Sequence, residues 1–88
     1  MTDHPFDFSA EKNRANFVKH GVALEDFAGF DQTPEVRRDD RFAYSEDRFR
    51  AFGRIETKGY MIAYMIRDGR VRLISFRRAH EKDRKSVV

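Results

Sequence analysis

The sequence predicts an α+β domain with helices packed on one face of an antiparallel sheet, and three observations carry that reading. Two runs rich in β-branched and aromatic residues, 60–66 and 70–78, flank Asp68-Gly69, a pair favoured in type I′ hairpin turns. A third run, 48–55, alternates apolar and charged residues with the two-residue period of a half-buried strand. Upstream, Ser9 and Gly21 bracket a helix-forming segment as N-cap and left-handed C-terminal residue.

Taken in order, residues 1–5 lack any periodicity and are expected to be disordered or loosely attached. Phe6-Asp7-Phe8 reads as a short extended piece. The first helix runs from Ala10 to about Lys19, with Glu11 in its first turn and Lys19 and His20 in its last, each sign matching the helix dipole. Its apolar stripe is thin: Ala10, Asn13 or Arg14, Phe17 and Val18. Leu24, Phe27 and Ala28 fall at i, i+3, i+4, which predicts a second short helix over 24–30. Residues 31–47 are polar and read as loop, with a brief edge strand around 35–38. The tail, 79–88, has helix-forming composition without an apolar stripe. The resulting order is helix, helix, loop, three-stranded meander and terminal helix, in one domain over residues 1–88.

The hairpin turn sets a register. Arg67 faces Arg70, and the pairs run back as Ile66 with Val71, Met65 with Arg72, Tyr64 with Leu73 and Ala63 with Ile74. Tyr60, Ile62, Tyr64, Ile66, Val71 and Leu73 then share a core face, and Met61, Met65, Arg67, Arg70, Arg72 and Phe76 share the other. A four-residue loop before Tyr60 sets Ile55 opposite Tyr60, adding Phe49, Ala51 and Ile55 to the core and Arg48, Arg50 and Arg54 to the charged side. Six arginines from three strands thus share one side of the sheet. Arg77 falls on the core side in this register, where its plain role is to pair with an acidic residue of the helix layer.

At 88 residues the chain has room for one modest core, a size that leans on a partner. It has no cysteine, which removes disulfides and thiolate metal sites and suits a reducing cytoplasm. No apolar run has the length of a membrane span, and a soluble cytoplasmic protein is expected. The net charge of +3 hides a split: residues 1–47 carry six Lys/Arg against eleven Asp/Glu, and residues 48–88 carry twelve against four. The basic half is the sheet half, and its arginine bias suits phosphate held by planar forks. The acidic pairs at 39–40 and 46–47 lack an accompanying His and the spacing of a metal site, and read as loop charge.

Phe6-Asp7-Phe8 followed by Lys12, Asn16 and Lys19-His20-Gly21-Val22, then Arg48 and Gly53, then Arg72-Leu73-Ile74-Ser75-Phe76-Arg77-Arg78-Ala79, resembles the BrnT family of toxins from bacterial type II toxin–antitoxin systems. The resemblance covers about residues 6–84. It implies a RelE-like fold and a ribonuclease that needs no metal or other cofactor. It also implies a hetero-oligomer with a BrnA-like, DNA-binding antitoxin that blocks the activity. Phe8-Ser9 stands where the family usually has Trp-Asp, and Phe76 where it has a small residue; Asp83 matches an acidic position that often follows.

Metal-free cleavage of RNA requires loss of the 2′-hydroxyl proton, stabilisation of the phosphorane and protonation of the 5′-oxygen. Composition and family together give Lys12, His20, Arg48, Arg72 and Arg77 as the catalytic set, with His20 or Lys12 as acid or base. Lys19, Arg50, Phe52, Arg54, Arg70 and Arg78 are the RNA-binding set, and Phe52 or Tyr44 would stack on a base. Each has a plainer role, since His20 at a helix C-terminus caps it as a cation and Lys12 and Lys19 line a solvated face. The competing functions are a nucleic-acid-binding module without catalysis, a degenerate toxin, and a purely structural surface that docks an acidic partner segment.

Overall fold

A computed structural model describes residues 4–40 and 46–79. Residues 1–3 of the N-terminal stretch, Tyr44, and all but Ala79 of the helical tail expected over 79–88 lie outside the described residues. Helix α1 spans Ala10–His20, strands β1 to β4 span Glu35–Arg38, Arg48–Ile55, Lys58–Arg67 and Arg70–Arg78, and a single 3-10 turn covers Leu24–Asp26. The strands form one antiparallel sheet in the order β1-β2-β3-β4. The α+β class is therefore as the sequence predicts, with the edge strand at 35–38 making the meander four-stranded. The second helix predicted over 24–30 is instead one 3-10 turn, closed by the Asp26 carboxylate accepting the Ala23 N–H at 2.8 Å. The chain leaves that turn extended at Phe27, whose ring must reach the sheet.

Helix α1 begins and ends where its cap residues dictate. The Ser9 hydroxyl accepts the Lys12 N–H at 3.1 Å, and Gly21, at φ 78°, donates its N–H to the Phe17 carbonyl at 2.8 Å. The predicted apolar stripe does not attach it. Phe17 is 57% exposed and Val18 is 79% exposed, and the buried residue of the helix is Asn16. Asn16 donates from Nδ2 to the Phe76 and Val22 carbonyls, both at 2.7 Å, and accepts the Phe76 N–H at 3.0 Å. A side-chain amide has the donor and acceptor of a peptide group, so Asn16 satisfies the outer edge of β4 as a further strand would.

The N-terminal segment completes the same edge. Asp7 forms a parallel bridge to Arg72, its N–H donating to the Val71 carbonyl at 3.1 Å and its carbonyl accepting from Leu73 at 2.8 Å. Leu73 and Phe76 are three apart, whereas outward N–H groups on a regular strand are two apart. The difference is a β-bulge: Tyr64 pairs with Leu73 but Ala63 pairs with Ser75, leaving Ile74 as the extra residue.

The bulge corrects the predicted register beyond Leu73. Ala63 faces Ser75 and not Ile74, so Phe76 turns to the core face and Arg77 turns to the arginine face, the reverse of the sequence-based assignment. The β2–β3 turn is also tighter than predicted, since Ile55 pairs with Lys58 around Glu56 and Thr57, with Glu56 at φ 60°. This displaces the register by two residues, which preserves the faces. Phe49, Ala51 and Ile55 remain opposite Arg48, Arg50 and Arg54.

The core lies on the face that carries Ala51, Ile62, Leu73 and Phe76, covered by Leu24 and Phe27. Phe27 is the hub, with ring centroids 5.1 to 5.5 Å from Phe6, Phe30 and Phe76. Gly53 is where Phe30 rests: a Cβ there would lie 2.7 Å from the Phe30 ring. Burial of this aromatic group sends the arginine face outward, toward the C-terminal end of α1.

Candidate functional site

The face opposite the core is built in rows across the strands. Arg48, Met65 and Arg72 are cross-strand neighbours; next come Arg37, Arg50, Ala63 and Ser75; then Glu35, Phe52, Met61 and Arg77. The middle row has long side chains at one end and small ones at Ala63 and Ser75. Two strand spacings separate Arg50 from Ser75, roughly 10 Å. A depression over the small residues follows from that pattern. The structure has a cleft of about 290 Å³ there, walled by Arg48, Arg50 and Arg77 from the sheet, Lys19 and His20 from α1, and Asp39 from the end of β1.

Each wall residue is delivered by a local feature. Gly21 stops the helix so that Lys19 and His20 occupy its last turn above Ser75. Asn16, one turn earlier, ties that turn to β4. The Ile74 bulge brings Arg77 to this side. Asp39 is 6% exposed, and its N–H donates to the Arg48 carbonyl at 2.8 Å, fixing it beside β2. The Arg50 Nε is buried without a hydrogen-bond partner among the described residues, so a charged donor is held in the wall where an anion would supply its acceptor. Beneath it, Phe52 is 1% exposed, with the Arg37 and Arg50 guanidinium carbons 5.0 and 5.7 Å from its ring centroid.

Of the residues singled out from the sequence, the cleft brings together His20, Arg48, Arg77, Lys19 and Arg50. Lys12 lines an adjoining groove of about 240 Å³ that shares Lys19, His20, Ile74 and Ser75 with the cleft. The others lie elsewhere. Arg72 stands one row away beside Met65, and Arg54 is exposed opposite Gly59 near the β2–β3 turn. Arg70 is at the hairpin end, paired with the Asp7 carboxylate at 2.9 Å. Arg78 is on the core side, its guanidinium 5.5 Å from the Tyr60 ring and its Nε donating to the Gly59 carbonyl at 3.3 Å. Phe52 presents no free face to a base, being covered by the arginines above it.

Sequence reasoning missed Asp39 and Ser75. The loop-charge reading that Asp39 shares with its neighbours fits Asp40 and Asp47, which pair with Arg38, and Glu46, which pairs with Arg67. The one signal that distinguishes Asp39 is position: two residues after Arg37 on an alternating strand, it belongs on the arginine face. Ser75 is hidden by the bulge. Among the described residues no group of three or more His, Asp or Glu side chains comes together as a metal site, and no helix is long and apolar enough to cross a membrane.

No curated protein and no solved structure matches the chain. A family model does match, over residues 8–83, described as the ribonuclease toxin BrnT of type II toxin–antitoxin systems. That span takes in α1, the whole sheet and every residue of the cleft, and so the chain belongs to the BrnT family of ribonuclease toxins of type II toxin–antitoxin systems.

Proposed function

We propose that this chain is a metal-independent endoribonuclease whose active site is the cleft between α1 and the arginine face. The observation that carries the reading is the convergence of His20 with Arg48, Arg50 and Arg77 over a floor of Ala63 and Ser75. A phosphodiester entering the cleft meets planar guanidinium donors at its non-bridging oxygens, where the phosphorane gains charge. Attack by the 2′-oxygen breaks its O–H bond and forms the O2′–P bond while P–O5′ breaks, giving a 2′,3′-cyclic phosphate and a 5′-hydroxyl. His20 brings an imidazole to the cleft, a side chain that can both accept and donate a proton, and it serves one of the two proton transfers; water in the open cleft serves the other. The arginines supply the charge stabilisation that a cation supplies in other nucleases.

The type II system implies an antitoxin partner. We read that partner as a BrnA-like, DNA-binding protein encoded beside the toxin, forming a hetero-oligomer with it in the cytoplasm. One helix laid along a four-stranded antiparallel meander supports the RelE-like reading of the fold.

The test is cleavage of single-stranded RNA by purified chain in EDTA, with end-group analysis. The wild type is expected to leave 2′,3′-cyclic phosphate ends, and His20→Ala and Arg77→Ala, folded by circular dichroism, to lose roughly 10²- to 10⁴-fold in rate. Cleavage that stops in EDTA and returns with magnesium would overturn metal independence. Unchanged rates in both variants would move the chemistry out of the cleft.

A further inference from the structure

Beside the cleft lies a groove whose Lys12 end has no role in the chemistry just described. It is lined by Lys12, Ala15, Asn16, Lys19 and His20 from α1 and by Ile74 and Ser75 from β4. The five helix positions are i, i+3, i+4, i+7 and i+8, one stripe of the helix. Asn16 is committed to the Phe76 backbone and Ala15 is small, so the stripe is a low saddle with a lysine at each end. Seven residues of helix set the two lysine Cα atoms about 10 Å apart along the axis. Neither lysine forms an ion pair among the described residues, although carboxylates neutralise Arg38, Arg67 and Arg70 at the rim. The groove opens into the cleft through Lys19, His20 and Ser75, which line both.

We infer that this groove is a second phosphate subsite, in which Lys12 holds the backbone of a single RNA strand beyond the scissile phosphate and Lys19 bridges the two sites. The inference rests on the cleft being the site of RNA cleavage. Its volume lies below the ~300–1,000 Å³ of pockets that enclose drug-sized ligands, which suits a sugar–phosphate unit lying in it with the base outside. Lysine, a point charge on a flexible stem, fits a phosphate whose position varies with sequence, whereas the guanidinium forks of the cleft fit one held in a fixed place. In this inference Lys12 sets how long a strand the protein grips, in place of the acid or base role that the sequence suggests for it, because it lines the groove and His20 lines the cleft.

The experiment compares wild type, Lys12→Gln and Lys12→Arg on two substrates, a ribodinucleotide and a single-stranded RNA of about twelve nucleotides, and measures binding of an uncleavable 2′-O-methyl twelve-mer against salt. The expected result for Lys12→Gln is a KM for the twelve-mer raised about 5- to 10-fold, and a loss at least fivefold smaller on the dinucleotide. Its log–log salt slope should be shallower by about 0.7, one phosphate contact on a single strand. Lys12→Arg should restore both. Equal losses on the two substrates, or a salt slope unchanged by Lys12→Gln, would overturn the subsite. Loss of slope in a protein that cleaves neither substrate would retain the subsite and discard the nuclease reading.

Discussion

Asn16 holds a position usually given to an apolar side chain, and the exchange has a calculable cost. Its amide closes three hydrogen bonds, two of them to the buried edge of β4 at Phe76. Removing it leaves the Phe76 N–H and two carbonyls without partners, at about 1–3 kcal/mol for each buried group left unmet. Asn16→Ala is expected to lose roughly 2–4 kcal/mol in urea unfolding, more than Phe17→Ala, whose side chain is largely exposed. A loss under about 1 kcal/mol would show that α1 is held by something other than this amide. The helix bounds are legible in the sequence, because Ser9 and Gly21 have cap chemistry that acts locally. The attachment is not, because an asparagine in a helix looks the same whether it faces water or a strand edge. Asp39 is hidden for the same reason, as its carboxylate is indistinguishable in sequence from the solvated ones that flank it.

At the level of elements, β4 decides how much of the site can be foreseen. The Asp68-Gly69 turn adopts φ 53° and 76° and fixes the pairs from Arg67 to Tyr64 as the sequence predicts. An error of two residues at the Glu56-Thr57 turn leaves every face unchanged, so the arginines of β2 are legible even with the wrong loop length. The single-residue bulge at Ile74 is different, since nothing in Leu-Ile-Ser-Phe marks it and it exchanges the faces of Phe76 and Arg77. Deleting Ile74 removes the extra residue and makes the strand regular, so Ser75, Phe76 and Arg77 keep their partners and their faces. The deletion variant is expected to retain cooperative thermal unfolding and the near-ultraviolet circular dichroism of the aromatic core, as is Ile74→Ala. Loss of both in the deletion variant alone would show that Ile74 is not the residue left over by the pairing.

Across the whole molecule, the charge split along the chain is not a split between surfaces. The acidic N-terminal half sends Asp7, Asp40, Glu46 and Asp47 to arginines at the ends of the sheet, and each of these pairs is exposed enough to add little stability. Their larger effect is on the field, since they lower positive potential at the rim relative to the cleft. The double variant Asp7→Asn with Glu46→Gln should bind non-cognate RNA several-fold more tightly at low salt, with the difference vanishing at high salt and the melting temperature shifting by no more than about 3 °C. An unchanged affinity at low salt would remove the rim pairs from any part in selectivity. The edges of the sheet have a separate consequence. With β4 sealed by Asn16 and Asp7, the sheet resembles a filament blocked at one end: any strand added from another chain, among the described residues, has only β1 to extend. That end is four residues long, bears Arg37 and Arg38, and gives an incoming copy of itself a poor seed for growth.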